Sequence, residues 1–561
     1  MTGENEVTSQ VSNYSETDIK VDDGADKLEA LEKLHGVDLD EYFLKFEQLY
    51  QESQQNMSFY DRMVSTEIKV HFQNKKHMVY MLAFFASMAG ILSGCDQSLI
   101  SGAALQYPSA LHMDSHEQSL VSSLMPLGAV AGSILMSPLN EAIGRRTSII
   151  GSCIAYTLGA ALCAGSRDGG MLYAGRFILG IGIGLESVVP AYVSECAPSA
   201  YRGNMVSLYQ FNIALGEVFG YSIAAMFEDV HGGWRFIFGS SLVFSTILFI
   251  GMFFLPESPR YLVHKGKVGL AYGVWKRLRD MDDVANKIEF LDMTQQLEQQ
   301  EAAEGHTNKK MMWLDFFTVP RCRRSLIYAN IMIILGQFTG VNAVMYYMST
   351  LMKNIGFSDK NAVNMSLVGG AALLFGTIPA IMYMDTCGRR FWANSMLPGF
   401  FIGLICVGVG YLIPIENRAS KGVYLTGVIL YMGFFGSYAC LTWVVPAEVY
   451  PTYLRSYGMT CSSSLLYLCS FIITYNFTKM TEAMTYTGLT LGFYGGIAFI
   501  GWIYQLLMVP ETKGKTLEEI DDIFSKPTSV LMAINLKNTK RDFYNIFHGN
   551  FKQVIKGDSG I

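Results

Sequence analysis

Long apolar runs separated by short polar breaks fill most of the chain from Met78 to Met508. A bilayer-spanning helix needs about 20 mostly apolar residues. Apolar length predicts twelve such spans, numbered in chain order: 78–106, 118–138, 147–166, 171–192, 204–226, 235–255, 325–352, 363–384, 391–414, 422–446, 457–478 and 486–508. Three polar segments interrupt or flank them. Residues 1–77 form an N-terminal tail, with a helix expected around "DLDEYFLKFEQLYQ". Residues 258–323 contain "KRLRDMDDVANKIEFLDMTQQLEQQ", which reads as amphipathic surface helices. Residues 511–561 form a second tail. The expected organisation is an all-α membrane protein. Residues 78–257 and 324–510 form two six-helix halves, and the segment 258–323 links them.

The polar breaks repeat. "NEAIGRR" (140–146) is echoed by "MDTCGRR" (384–390), "SECAPSAYRG" (194–203) by "PAEVYPTYLRS" (446–456), and "PESPR" (256–260) by "PETKGK" (510–515). Each echo comes roughly 250 residues after its first copy, the sign of two parallel repeats related by an axis along the membrane normal.

Composition agrees with the pattern. Half of the 561 residues are hydrophobic and 16% are charged, against about 25% in soluble domains, and the mean hydropathy is +0.25. The net charge of −6 is spread along the chain and gives no reason to expect nucleic acid. The 10 cysteines are scattered without a CxxC pair, so neither a disulfide framework nor a zinc site is expected. The N-terminal stretch is acidic and polar, without the apolar core of a signal peptide.

Arginines set the orientation. Arg145, Arg146, Arg202, Arg389, Arg390 and Arg455 fall in loops that share one side with the linker and both tails, so that side is expected to be cytosolic. Lys353, Lys360, Arg418, Lys421 and Lys479 weaken the bias from the other side. Sequons at Asn13, Asn56, Asn364 and Asn476 support no claim of glycosylation; the first two fall on the expected cytosolic side.

Charge inside the spans is the candidate chemistry. "SGCDQSLISG" (93–102) puts Asp96 in the middle of span 1, where a carboxylate costs roughly 2.5–3.5 kcal/mol on insertion scales. The small residues Ser93, Gly94, Ser98, Ser101 and Gly102 permit close helix packing around it. Glu186 and Glu217 are two further carboxylates at apparent membrane depth.

Over about residues 80–525 the chain resembles the sugar porter family of the major facilitator superfamily. The resemblance rests on Gly144-Arg145-Arg146, Gly175-Arg176, Glu195 with Arg202-Gly203, "PESPRYL" (256–262), "GQFTGVNAVMYY" (336–347), Asp385 with Gly388-Arg389-Arg390, "PAEVYPTYLR" (446–455) and "PETKGKTLEEI" (510–520). Within the family, "SGCDQSLISG" and "SYACLTWVVPAEVYPTYLRSYGM" look most like fungal proton-linked monosaccharide symporters of the fructose type.

The resemblance implies roles. Glu141, Arg145, Arg146, Glu195, Arg202, Asp385, Arg389, Arg390, Glu448 and Arg455 match a cytoplasmic gate, an ion-pair network that holds the two halves together when the protein opens outward. Arginine suits such a latch because it can grip carboxylate through two hydrogen bonds; a plainer reading is that these arginines only obey the positive-inside rule. Gln210, Gln337, Asn342, Tyr346 and Trp443 match sugar-binding positions, as do Glu217, where an amide is usual, and Tyr467, where a tryptophan is usual. Amides both donate and accept hydrogen bonds, as sugar hydroxyls do. Each polar residue can also be read as a simple bridge between helices. Asp96 and Arg176 match the proton-coupling pair of span 1 and span 4. A carboxylate beside a guanidinium keeps its charge, and one drawn away into low dielectric takes up a proton more readily. A static buried ion pair is the alternative.

Further departures alter the pocket. Gly336 replaces the first of two glutamines at the head of the span 7 motif, Ala439-Cys440 replaces a Gly-Pro before Trp443, and Leu466-Tyr467 replaces an amide-Trp pair. The expected function is a plasma-membrane proton symporter that imports a hexose, with fructose first, by alternating access. Alternatives are a polyol, inositol or glucose transporter, proton-linked or facilitative, and a sugar sensor that does not transport. No nucleophile–base pair, phosphate loop or metal-ligand cluster suggests an enzyme, a cofactor or a metal. The expected partners are the monosaccharide, a proton and the lipid bilayer, with the chain acting as a monomer and both termini cytosolic.

Overall fold

The computed structural model describes residues 39–55, 68, 75–198, 202–283, 286–295, 313–451, 454–513, 520 and 523–548. The sequons at Asn13 and Asn56 and the side chain of Asp385 lie outside the described residues. All regular elements among the described residues are helical.

Ten described helical stretches are long and apolar enough to cross a membrane. Two features of the predicted spans explain the difference. Span 5 is a 26-residue helix, Arg202–Phe227, whose Gln210, Asn212 and Glu217 dilute its apolar character. All three are buried, so the polar face of span 5 points into the protein and its lipid side stays apolar. Spans 11 and 12 merge into a single stretch, Arg455–Met508, of 54 residues. At about 1.5 Å per residue it measures roughly 80 Å, far more than a hydrocarbon core of about 30 Å, so it crosses twice. The helical path breaks at Thr485 (φ 61°, ψ 161°), passes through a π-helical turn, Gly488–Tyr494, and resumes as Gly495–Met508. The fold is the twelve-helix, two-half architecture.

Local signals set the helix ends. Asp114 and Glu117 form a capping box at the start of span 2, Ser115–Ile143. Asp168 caps span 4, and Asn417 caps span 10, Arg418–Val449. The glycine of each Gly-Arg-Arg motif turns the chain between adjacent spans. Gly144 (φ 92°) joins span 2 to span 3, Arg145–Gly165, and Gly388 (φ 91°) joins span 8, Asp359–Cys387, to span 9, Arg389–Leu412. That backbone region strongly favours glycine, which is why the two turns repeat the same residues.

Three spans are broken. Span 1 is Lys75–Ser87 followed by Ala89–Ala103. Span 4 is Gly169–Glu186 followed by Val189–Cys196, with Pro190 just inside the second helix. Span 7 was expected as one helix but comprises Pro320–Gln337, Val341–Tyr346 and Met348–Asn354. Gly340 (φ 89°) makes the first break, and a β-carbon there would lie 2.4 Å from the Tyr494 ring. Such breaks are tolerated at membrane depth where the backbone is buried in protein.

The halves pack alike. Span 1 lies on 5, 2 on 4, and 3 on both 4 and 6 (Gly233–Met252); correspondingly span 7 lies on 11, 8 on 10, and 9 on both 10 and 12. Between the halves, span 2 packs on 11, 5 on 8, and 1 on 7. The seam between spans 1 and 5 is very close. A β-carbon on Gly94 would sit 1.9 Å from the carbonyl oxygen of Ile213. Small residues are needed here because the two backbones touch.

A second compact unit contains, among the described residues, 39–55, 75–78, 257–283 and 286–295. Within it the helix Val268–Leu278 packs on both the helix Leu39–Gln55, where Tyr272 meets Phe43 and Phe46, and the helix Pro259–His264. Phe46 meets Phe290 edge to face at 5.3 Å, and Lys276 pairs with Glu47 at 2.7 Å.

Candidate substrate and coupling site

Asp96 lies midway along the second helix of span 1, and its Oδ1 accepts a hydrogen bond from Nη1 of Arg176 in span 4. The two side chains are 3% and 0% exposed. Arg176 also donates through Nε to the carbonyl of Val121 in span 2 at 3.2 Å. One guanidinium therefore ties spans 1, 2 and 4 together. The pair is incompletely satisfied, because Asp96 Oδ2 and Arg176 Nη2 have no hydrogen-bond partner. A buried ion pair with spare donors and acceptors is worth little as a static brace.

The residues predicted to bind sugar form two hydrogen-bonded pairs. The break in span 7 brings Asn342 Nδ2 to Gln337 Oε1. The two side chains meet because the helix ends at Gln337 and restarts at Val341, not because they share a helical face. Across the halves, Trp443 Nε1 of span 10 donates to Gln210 Oε1 of span 5 at 3.0 Å. Tyr209, which nothing in the sequence marked, meets the Trp443 ring edge to face at 5.1 Å.

Tyr346 is buried, and its hydroxyl donates to the sulfur of Met125 in span 2 at 3.6 Å. It lies within electrostatic reach of Asp96, Arg176, Glu217 and Tyr467. The ion pair and the predicted sugar wall are therefore neighbours. Glu217 is buried at the span 1–span 5 seam, and neither of its oxygens has a hydrogen-bond partner. Tyr467 in span 11 turns its ring inward toward Ser93 and Ser187.

The family departures have physical consequences. A β-carbon at Gly336 would lie 2.9 Å from the Tyr438 ring. Tyr438, held by Gln505 Nε2 at 2.6 Å, fills the space that a second amide would need. Ala439-Cys440 leaves span 10 unbroken up to Pro446.

The end of the bundle that carries the Gly-Arg-Arg turns holds the charged clusters. Arg145 pairs with Glu195 at 3.1 Å. Arg389 grips Glu448 through two nitrogens, and Thr512 Oγ1 donates to the same carboxylate at 3.1 Å. Both pairs join helices of one half, spans 3 and 4 or spans 9 and 10. Arg146 binds the carbonyl of Met252 at the end of span 6 at 3.0 Å, and Arg390 binds those of Leu506 and Val509 at the end of span 12 and that of Asn535 in the C-terminal tail. Arg202 and Arg455 begin spans 5 and 11. Glu141 is exposed near the end of span 2, and Asp385 lies in the last turn of the span 8 helix.

Sequence reading gave no role to Glu511, although it stands in the repeated "PETKGK" motif. Its carboxylate accepts from the backbone N–H groups of Arg389 and Arg390 at 2.9 and 3.0 Å. It thus caps span 9, whose N-cap Gly388 has no side chain to do so.

Hydroxyls make several of the contacts between halves. Ser133 meets Ser464 at 2.8 Å and Ser137 meets Ser456 at 3.3 Å. Further along the same two helices, Ser119 meets Thr478 at 3.1 Å and His116 meets Tyr475 at 3.0 Å. Tyr221 donates to the carbonyl of Met345 at 2.9 Å. Buried phenols from both halves, Tyr156 and Tyr346, thus lie within reach of a membrane-depth ion pair.

The sequence profile of the "sugar (and other) transporter" family matches residues 82–524. The chain is 58% identical over 492 residues to the myo-inositol transporter FST1 of Gibberella moniliformis, covering 87% of this chain and 86% of that protein. It is 26% identical to the human proton myo-inositol cotransporter, covering 80% and 82%. Among solved structures it superposes on the proton:xylose symporter XylE bound to 6-bromo-6-deoxy-D-glucose with a TM-score of 0.71, at 23% identity, covering 80% of this chain and all of that one. The finer likeness thus runs to myo-inositol transporters and not to the fructose type. The profile match, the repeated Gly-Arg-Arg turns and the two-half packing agree, and the chain belongs to the sugar porter family of the major facilitator superfamily, a multi-pass membrane transporter and not an enzyme.

Proposed function

We propose that the protein imports a cyclitol of the myo-inositol class together with a proton, by alternating access across the plasma membrane. The buried Asp96–Arg176 pair, set beside Tyr346 of the predicted substrate wall, carries this reading. Movement of span 1 or span 4 that separates the pair leaves Asp96 in low dielectric, where it binds a proton; closure restores the pair and releases it. Substrate at Tyr346 and proton at Asp96 then respond to the same helix motion.

The relatives named for myo-inositol support the substrate class. The altered pocket supports it too, since Tyr438 beside Gly336 and Tyr467 in place of a tryptophan reshape two walls. Fructose, the expectation from sequence, has no such support. Gln210, Gln337, Asn342, Tyr346 and Trp443 hold the ring in this reading. The arginine distribution supports a cytosolic location for both termini.

The bonding hierarchy fits rocking halves acting as a monomer. Half-buried charged pairs such as Arg389–Glu448 lie within a half, while hydroxyl contacts such as Ser133–Ser464 and the exposed Lys360–Asp229 pair join the halves. Such interhelical hydrogen bonds average about 0.6 kcal/mol in membranes. Breaking a buried ion pair costs about 3–5 kcal/mol. Such hydroxyl contacts can break and re-form across the seam while each half moves as a body.

The test is uptake of labelled myo-inositol, fructose and glucose in transporter-deficient yeast cells, with external pH recorded. Saturable myo-inositol uptake with external alkalinisation is expected. Fructose uptake that myo-inositol does not compete with would refute the substrate class, and uptake without alkalinisation would refute the coupling.

A further inference from the structure

The carboxyl of Glu186 takes no part in the gate, the ion pair or the predicted sugar wall. It ends the first helix of span 4, at the break before Val189-Pro190. The residue is fully buried, and neither carboxyl oxygen has a hydrogen-bond partner. Two neighbouring hydroxyls share that condition: Ser187 Oγ, next in the chain, and Tyr209 OH in span 5, both at 0% exposure. Tyr467 of span 11 turns its hydroxyl toward Ser187. Buried polar atoms normally find partners. Four such atoms left open at one helix break mark a place where a polar molecule belongs.

That place adjoins the substrate wall. Tyr209 stands edge-on to Trp443, which is bonded to Gln210. The charges around Glu186 are equally informative. The titratable groups within reach are Cys153 and Tyr156 of span 3, Tyr209 of span 5 and Tyr467 of span 11. Spans 2 and 10 bring no charged group to it, and no lysine or arginine among the described residues faces it. Asp96 of span 1 is paired with Arg176, which lies earlier in span 4. A carboxylate with no cation and no donor is costly to bury, so Glu186 sits here as the neutral acid. A neutral acid has one donor and one strong acceptor, like an amide.

We propose that protonated Glu186, with Ser187, Tyr209 and Tyr467, forms the subsite by which the protein prefers a fully hydroxylated carbocycle to a sugar ring. This rests on the cyclitol reading above. A cyclitol presents a hydroxyl, both donor and acceptor, at every ring position. A pyranose or furanose replaces one of them with an ether oxygen, which only accepts. Opposite that oxygen the acceptor of Glu186 stays unpaired. A site built to hydrogen-bond a hydroxyl strongly rejects an analogue that lacks it.

The test is calorimetric binding of myo-inositol and of glucose to the purified full-length protein in nanodiscs. Wild type is expected to prefer myo-inositol by tenfold or more, with affinity falling as pH rises and Glu186 loses its proton. Glu186→Ala is expected to lose tenfold or more in myo-inositol affinity and less than about threefold in glucose affinity. Glu186→Gln, which restores donor and acceptor without a titrating group, is expected to recover most of that loss and, in an Asp96→Asn background that removes the coupled proton, to flatten the pH dependence. If Glu186→Ala does not fold, Ser187→Ala and Tyr209→Phe serve instead, each costing threefold or more for myo-inositol alone. A wild-type preference that survives Glu186→Ala, or survives both replacement variants, overturns the subsite. So does a Gln variant as weak as the Ala variant. Wild-type protein that binds glucose and not myo-inositol overturns the cyclitol reading itself, and the subsite with it.

Discussion

Asp96→Asn separates coupling from transport. The change keeps the shape of the side chain but removes the charge opposite Arg176, which is fully buried and otherwise held only by the Val121 carbonyl. Deleting one partner of a buried ion pair costs about 3–5 kcal/mol. The asparagine oxygen can still accept from Nη1, and a hydrogen bond to a charged group returns about 1.5–3 kcal/mol. The net loss is therefore about 2 kcal/mol, small enough for the protein to fold. The functional loss is larger. With one proton per substrate, a gradient of about two pH units, each worth about 1.4 kcal/mol, supports accumulation up to about 100-fold. In proteoliposomes with an imposed pH gradient, wild type is expected to concentrate labelled myo-inositol toward that limit, and Asp96→Asn only to equilibrate it. Counterflow exchange, which needs no net proton movement, is expected to persist in the mutant. Accumulation by Asp96→Asn above the equilibrium level would refute Asp96 as the proton carrier.

Three further outcomes follow from the geometry. Trp443→Ala removes the indole that joins Gln210 to Tyr209; the uptake KM is expected to rise about tenfold, equivalent to about 1.4 kcal/mol, and Trp443→Phe is expected to recover part of this by keeping an aromatic face. Glu511→Ala uncaps span 9 and is expected to cost about 1–2 kcal/mol, read as a lower melting temperature of purified protein with Glu511→Gln in between. Gly94→Ala places a β-carbon 1.9 Å from the Ile213 carbonyl oxygen; overpacking of this kind costs about 1–3 kcal/mol, and a poorly folded species on size-exclusion chromatography is expected, whereas an unchanged melting temperature would refute the close span 1–span 5 contact.

The spans were legible because bilayer thickness imposes a length on every crossing, and apolar length is a local property of the chain. Span 5 and the 11–12 pair show where that signal weakens. Polar residues that face inward dilute one span, and a helix that breaks without a polar loop merges two others. The candidate site was legible as residue types, since Asp96, Arg176, Gln210, Asn342 and Trp443 stand in recognisable motifs. Their pairings were not. Gln337 meets Asn342 because Gly340 turns left-handed beneath the Tyr494 ring, a contact between segments more than a hundred residues apart. Glu511 caps a helix that begins far earlier in the chain, and Tyr438 fills the space above Gly336.

The sequence by itself thus determined the membrane class, the duplicated halves, the turns that need glycine and the presence of charge at membrane depth. Each follows from a local rule of length, backbone freedom or charge cost. Only the tertiary structure decided which buried groups have partners. Asp96 has Arg176, while Glu186, equally conspicuous in the sequence, has no cation or hydrogen-bond donor among the described residues. A carboxylate's partner is set by angstrom distances between helices remote in sequence, and no local pattern encodes those distances.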